Sequence, residues 1–223
     1  WLIRIAGIIT HRRYRSFNEL HIEGSEIIRS LPDTNVLFIS NHQTYFADVV
    51  AMFHVFNASL KGRENNIKNV LYLWNPKLNL YYVAAKETMQ EGLLPRILAY
   101  AGAITVERTW RAKGKDVTEK KEVNPNDTEN IKIALEDGWV ITFPQGTTRS
   151  FKPVRKGTAH IILQHKPIVV PIVIDGFRRS FDRKGLRIKK KGILQSFVIK
   201  EPLKIDYENA TVDEVVEMIE FAI

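Results

Sequence analysis

The sequence predicts an α/β fold: a single domain built on a mixed, largely parallel sheet with helices on both faces. Three observations carry that expectation. Short β-rich runs recur with stretches of helical apolar period between them. Several of those runs are apolar almost throughout, as strands covered on both faces are. And 223 residues, against about 150 per domain, suit one large domain better than two. With 44% hydrophobic and 26% charged residues and only 12 Gly and 9 Pro, the chain is neither disordered nor of low complexity.

The chain opens with Trp1-Leu2-Ile3-Arg4-Ile5-Ala6-Gly7-Ile8-Ile9-Thr10, apolar but for one Arg, and Arg12, Arg13 and Arg15 follow at once. An apolar helix suits both a core element and a membrane-contacting segment. The arginines favour the second for residues 1–16. Strands are expected at 36–40, 80–85, 103–107, 139–144, 168–174 and 197–205, and helices at 48–59, 94–101, 128–137, 157–164 and 211–223. Thr128, with Glu129 beside it, opens the third of those helices and Gly138 closes it. Residues 109–127 mix both signs of charge without apolar period and include Asn124-Pro125-Asn126, so they read as a surface insertion. No internal repeat is present.

Lys and Arg number 33 against 25 Asp and Glu, a net charge of +8. The natural partners are therefore anionic: nucleic acid, an acidic carrier, a phosphorylated metabolite or an anionic membrane surface. The lack of cysteine removes disulfides, thiolate nucleophiles, zinc ribbons and iron–sulfur clusters. P-loop, dinucleotide-binding and G-x-S-x-G signatures are missing as well. His160 and His165, five apart and without a neighbouring carboxylate, do not share a helix face, so no metal site is expected. No window approaches the 18 apolar residues that a membrane-spanning helix needs.

Two segments concentrate the chemistry. Ser40-Asn41-His42-Gln43-Thr44-Tyr45-Phe46-Ala47-Asp48 leaves the carboxyl end of the first strand and opens a helix, where α/β sheets place ligands. A His there, with a carboxylate six residues on, can have one ring nitrogen fixed by Asp48 while the other takes a proton. The plainer alternative is an Asp that caps the helix and a His bonded to backbone. Phe143-Pro144-Gln145-Gly146-Thr147-Thr148-Arg149-Ser150 again follows a strand. Its Gly, hydroxyls and Arg149 suit a phosphate-binding turn, and equally an ordinary Pro/Gly turn.

Together these segments resemble the glycerolipid acyltransferases, the lysophosphatidate and glycerol-3-phosphate acyltransferases, whose marks are N-H-x-x-x-x-D and F-P-E-G-T-R-S. Lys86-Glu87, Pro95 and Gly102-Ala103-Ile104-Thr105-Val106-Glu107-Arg108 resemble the family's middle block, which ends in a substrate-binding Arg. Val169-Val170-Pro171-Ile172-Val173 resembles its last block, and the four blocks keep the family's order over about residues 30–180. The resemblance implies acyl transfer from acyl-CoA or acyl carrier protein, a co-substrate and no resident cofactor, to a lysolipid hydroxyl. The leading acceptor is 1-acyl-sn-glycerol-3-phosphate, giving phosphatidate. It implies His42 as general base, Asp48 as its orienter, and Asn41, Arg108, Gln145, Gly146, Thr147, Thr148 and Arg149 as substrate-binding residues. Among these, Arg108, Arg149 and Gly146 would hold the acceptor's phosphate. A thioester is already activated, so a deprotonated alcohol held near its carbonyl suffices.

Three departures stand out. Five residues separate His42 from Asp48 where the family has four, Gln145 replaces Glu, and Thr147-Thr148 adds a residue before Arg149. At ~100° per residue neither His-to-Asp spacing puts both on one helix face, so His42 is expected on the turn before the helix. An amide at position 145 can donate to an anion or to a neutral head group, which keeps open a phosphate-free acceptor such as an amino-acid lipid. The longer spacing keeps open a catalytically silent lipid- or carrier-binding protein. Backbone N–H groups at the helix start beside His42 are the candidate oxyanion donors.

Residues 178–191 hold eight basic side chains against one acid, Asp182. Nucleic-acid binding would want aromatic stacking platforms, and Phe181 is a single ring; a solvated hairpin is the plain alternative. Arg178, Arg179, Lys189, Lys190 and Lys191 are expected to contact an anionic membrane surface, at about 1 kcal/mol per basic residue near it. The expected protein is peripheral or N-terminally anchored at the cytoplasmic face of a membrane. Its partners would be that surface, the lysolipid and the thioester donor, and not nucleic acid.

Overall fold

The structure, a computed structural model, describes residues 2–75, 78–85, 102–106 and 125–223. Seven strands are found among them: β1 (Glu19–Glu23), β2 (Val36–Ser40), β3 (Leu80–Ala85), β4 (Ala103–Val106), β5 (Trp139–Thr142), β6 (Ile168–Asp175) and β7 (Leu194–Ile199). They form one sheet in the order β1-β7-β6-β2-β5-β3-β4. Every pairing is parallel except that of β6 with β7. Pro171 sits inside β6 without breaking it, because the β7 ladder begins only at Ile172 and no N–H is asked of the proline there.

Side chains alternate along a strand, so the buried run of β2 feeds two cores: Val36 and Phe38 enter one, Leu37 and Ile39 the other. Trp139 and Ile141 of β5 join the first, and Val140 the second. Helices α1 (Leu2–Arg15) and α2 (Ala47–Leu60) cover the first face through Tyr14 and through Ala51, Met52, Val55 and Phe56. Helices α3 (Pro125–Asp137), α4 (Lys156–His165) and α6 (Val212–Ala222) cover the second through residues such as Leu135, Ile162 and Ile219. The short α5 (Phe177–Ser180) contributes Phe177 to the first core. This is the predicted single α/β domain with helices on both faces.

The connections place a crevice. From β2 the chain crosses the first face on α2 and passes β5 to reach β3; from β5 it crosses the second face on α4 and passes β2 to reach β6. Neighbouring strands whose connections depart in opposite directions leave an opening at their carboxyl ends. Both motif segments begin at those ends, after Ser40 and Thr142.

Several expected boundaries move. Strand β1 has no counterpart in the sequence reading. The strand expected at 197–205 runs instead from Leu194 to Ile199, and Pro202, which has no N–H for a ladder, lies beyond its end. The strand expected to 144 stops at Thr142. Residues 125–127, assigned to the surface insertion, form the first turn of α3, where Pro125 is pre-organised for the opening helical position and Asp127 suits the dipole. The basic segment is not a regular hairpin: after α5 it makes a tight turn closed by one bridge, Phe181 to Ile188. The expected helix at 94–101, the rest of the insertion, Glu107, Lys86-Glu87 and Pro95 lie outside the described residues. No helix among the described residues is long and apolar enough to cross a membrane.

Candidate active site

Between Ser40 and α2 the chain forms a loop that β6 and the residues after it pin in place. Asn41 uses both ends of its amide on Ile174: Nδ2 donates to its carbonyl and Oδ1 accepts from its N–H, each at 2.8 Å. Gln43 Nε2 donates to the same carbonyl at 3.0 Å and to Asp175 Oδ1 at 3.2 Å, and its Oε1 accepts from the Arg178 N–H at 3.1 Å.

Asp48, in the first turn of α2 and 0% exposed, collects the loop around its carboxylate. Its Oδ2 accepts from His42 Nδ1 at 2.9 Å, from the Gln43 N–H at 2.7 Å and from the Thr44 N–H at 3.0 Å. Its Oδ1 accepts from Thr44 Oγ1 at 2.8 Å. A buried carboxylate is tolerable when its lone pairs are met in this way. Because the other donors present hydrogens to an ionised acceptor, the proton shared with the imidazole resides on Nδ1, and Nε2 is the proton acceptor. The extra residue between His42 and Asp48 is absorbed by the loop, as expected. Phe143, just past β5, stacks on the imidazole at 3.9 Å and 22° and fixes the ring plane from the other side.

The N–H groups of Gln43 and Thr44 thus serve Asp48, while those of Tyr45 and Phe46 donate to the carbonyls of Arg183 at 3.1 Å and Lys184 at 3.0 Å. These four loop N–H groups are therefore engaged within the protein, and none of them is an oxyanion donor. Gly185 permits this approach: its φ is +75°, and a Cβ there would stand 2.5 Å from the Ala47 nitrogen and 2.8 Å from Thr44 Oγ1.

The second segment makes a tight turn, with the Gly146 N–H donating to the Phe143 carbonyl at 2.8 Å. Gly146, Thr147 and Thr148 line a cleft of about 560 Å³ that His42 also lines, among apolar walls such as Val49, Tyr82 and Ile131. The other expected residues lie elsewhere. Gln145 donates its amide to the Lys152 carbonyl at 2.8 Å and is not part of the wall. Arg149 is exposed and also outside it, and Arg108 lies outside the described residues. Arg178 donates to the Thr148 carbonyl and to Ser150 Oγ, bracing this turn, and Arg179 pairs with Asp175 at 2.9 Å. Lys189 and Lys190 are exposed, and Lys191 lies 4.7 Å over the Phe17 ring.

Tyr45, Phe143, Arg155 and Arg183 line the cleft without having been singled out from sequence. For Arg155 a signal existed: Arg155-Lys156 opens a helix, where the dipole favours acids. Among the described residues no three His, Asp or Glu side chains converge as a metal site would require. His160 lines the cleft, whereas His165 Nε2 is buried without a partner and burial lowers that ring's pKa.

Residues 19–175 match the family model described as Acyltransferase. The chain is 27% identical over 206 residues, 91% of its length, to 1-acyl-sn-glycerol-3-phosphate acyltransferase of Cocos nucifera, and it spans 56% of that protein. Its fold is similar, with a TM-score of 0.60, to the crystal structure of the 1-acyl-sn-glycerophosphate acyltransferase PlsC from Thermotoga maritima. That similarity covers 99% of this chain and 74% of the other at 17% identity. The matched span runs from the first residue of β1 to the last of β6 and encloses both motif segments, and on that ground the chain belongs to the acyltransferase family.

Proposed function

We propose that the protein transfers a fatty acyl group from a thioester, acyl-CoA or acyl carrier protein, to the hydroxyl of 1-acyl-sn-glycerol-3-phosphate. The observation that carries this reading is the 2.9 Å bond from His42 Nδ1 to a fully buried Asp48, on the wall of a cleft. It leaves Nε2 to take the hydroxyl proton as the oxygen attacks the thioester carbonyl, while Asp48 stabilises the imidazolium. The thiolate leaves, so no resident cofactor is required. The relative from Cocos nucifera supports the choice of acceptor. The contact between His42 and Asp48 speaks against a catalytically silent binder, whose one argument was their spacing. Gln145, the motive for a phosphate-free acceptor, points its amide into its own turn.

The proposed location is a membrane surface, on its cytoplasmic face. Helix α1 turns Ile5, Ile8 and Ile9 outward, and the 3-10 turn Val70–Leu73 that packs against α1 exposes Leu71 and is followed by Trp74, which is 75% exposed. Ile8 and Ile9 also form a groove of about 610 Å³ with Arg12, Arg13, Phe17, Arg187 and Ile188. Apolar side chains ringed by cations suit an anionic lipid surface better than nucleic acid. Purified protein, a labelled acyl donor and a panel of lysolipids read by mass spectrometry test the reaction. Phosphatidate formation that falls about 10²–10⁴-fold in His42→Ala is the expected result; turnover retained by that variant refutes it.

A further inference from the structure

We propose that Phe151 is a membrane-inserting tip, which the loop 145–154 presents to an anionic lipid bilayer so that the mouth of the cleft faces the surface holding the acceptor. The assignment rests on the membrane location proposed above. Phe151 is 100% exposed and has a φ of +54°, in the left-handed region that a bulky side chain rarely enters. An apolar ring held wholly in water and a strained backbone are both unfavourable for the fold alone, and strain of this kind gathers where a protein meets a ligand.

The tip is fastened from several sides. Gln145 Nε2 donates to the Lys152 carbonyl at 2.8 Å and closes the loop across its neck. The Arg155 N–H donates to the Pro144 carbonyl at 3.0 Å, and the Val154 N–H to Glu220 Oε1 of α6 at 2.8 Å. Arg178 braces the Thr148 carbonyl and Ser150 Oγ. These bonds give the amide at position 145 a reason. The Glu of the family's motif would set a carboxylate oxygen against the Lys152 carbonyl, whereas an amide donates to it. The departure at Gln145, a residue outside the cleft wall, thus serves the loop that carries Phe151.

Charge selects the occupant. Arg149 and Lys152 flank the ring, both exposed, and no acid lies among residues 149–152. Arg178 joins the loop to the basic segment, whose Arg187 and Ile188 share a groove with Ile8, Ile9 and Phe17. An aromatic ring between cations suits the headgroup level of an anionic bilayer, with the ring below and the charges among the phosphates. Thr147 and Thr148, just before the tip, line the cleft together with His42. A lysolipid that leaves the bilayer beside Phe151 therefore meets the wall that carries the base.

The chain has no cysteine, so Phe151→Cys gives a single site for a nitroxide label, and Thr34→Cys gives a control ahead of β2, at the opposite end of the sheet. On vesicles of phosphatidylglycerol and phosphatidylcholine the label at 151 is expected to become accessible to oxygen and shielded from a water-soluble nickel chelate, while the label at 34 stays aqueous. Phe151→Asp is expected to weaken vesicle binding about tenfold or more and to raise KM for acceptor presented in vesicles by a similar factor. Its thermal melt and its turnover on a monomeric short-chain acceptor are expected to match the parent. Gln145→Glu is expected to weaken vesicle binding in the parent but not in the Phe151→Asp background, which ties the clamp to the ring. A label at 151 that stays aqueous, or Phe151→Asp that binds vesicles as the parent does, overturns the proposal. So does a Phe151→Asp variant that loses acyl carrier protein and keeps vesicles, which assigns the tip to the donor's carrier. Vesicle binding is read without turnover, so a parent that inserts position 151 yet acylates no lysolipid refutes the reaction and leaves the membrane tip standing.

Discussion

Replacing Asp48 by Asn separates what the carboxylate does by position from what it does by charge. Its Oδ2 accepts three N–H bonds, at 2.7–3.0 Å, and its Oδ1 accepts one hydroxyl. An amide whose oxygen takes the Oδ2 place keeps all three, and its NH2 then faces Thr44 Oγ1, which can rotate to accept. The reverse orientation sets an NH2 against three donors. The backbone of Gln43 and Thr44 therefore selects the amide's orientation, and His42 keeps its Nδ1–H tautomer. Three charge-assisted bonds of about 1.5–3 kcal/mol become neutral ones of about 0.5–1.5, a loss of about 3 kcal/mol. Relief from burying an ion offsets part of that, leaving a cost of about 1–2 kcal/mol and a Tm lower by about 2–8 °C. In the transfer step the imidazolium loses a counter-charge worth at most ~4 kcal/mol at 4 Å and an effective dielectric of 20. We expect about a 10²-fold slower transfer, short of the ~10⁴-fold loss that follows when an Asp→Asn change imposes the wrong tautomer. Single-turnover acyl transfer and thermal unfolding measure the two quantities. A variant slowed by ~10⁴-fold, or one as fast as the parent, would refute the reasoning.

Gly185→Ala places a Cβ against Ala47 and Thr44 at a φ of +75°, so the loss combines about 1–2 kcal/mol of left-handed strain with about 1–3 kcal/mol of overpacking. Calorimetry should show a Tm lowered by several degrees, with activity reduced alongside; an unchanged Tm counts against the close approach. Burial lowers the His54 pKa from 6.5 to about 3, and its ring nitrogens meet Thr10 Oγ1 and the Tyr72 hydroxyl at 2.9 Å each. The unfolded chain takes up this proton near pH 6.5 and the folded one only near 3, so its stabilising effect is full above 6.5 and is lost as pH falls through that window. The slope is ~1.4 kcal/mol per pH unit. Urea unfolding at pH 7, 5.5 and 4.5 should show it, and His54→Leu should flatten the dependence by one proton; an identical slope in the variant argues otherwise. Reversing Lys189, Lys190 and Lys191 to Glu should weaken sedimentation with anionic vesicles and reduce its salt sensitivity, the attraction being screened over about 8–10 Å. Unchanged binding at low salt sinks the membrane role of those lysines.

How far the sequence carried depends on where each partner sits. Strands β2 and β3 were legible residue for residue, since runs such as Val36-Leu37-Phe38-Ile39 can only be covered on both faces. Strand β1 was not: in Glu19-Leu20-His21-Ile22-Glu23 only Ile22 is buried, and an edge strand needs no more. The start of β7 was missed because its buried face opens with Gln195, a polar side chain that no hydrophobic period detects. At the site, His42 and Asp48 were legible because six positions of loop and helix bring them together. The clamp from Asn41 to Ile174 and the cover from Arg183 to Tyr45 were not, since they exist only once β6 lies beside β2.

Those distant clamps also set when the protein can first act. Ile174, the carbonyls of Arg183 and Lys184, and the Gly185 turn that rests on Ala47 are made more than a hundred residues after His42. A growing chain that stops short of them holds the base and its carboxylate without the strand and turn that set their loop. Such long sequence separations delay closure until the segment through Gly185 is available. Catalytic competence is thus coupled to synthesis of the chain through Gly185, and a truncated chain ending before residue 185 should be an unfinished site as well as an unfinished fold.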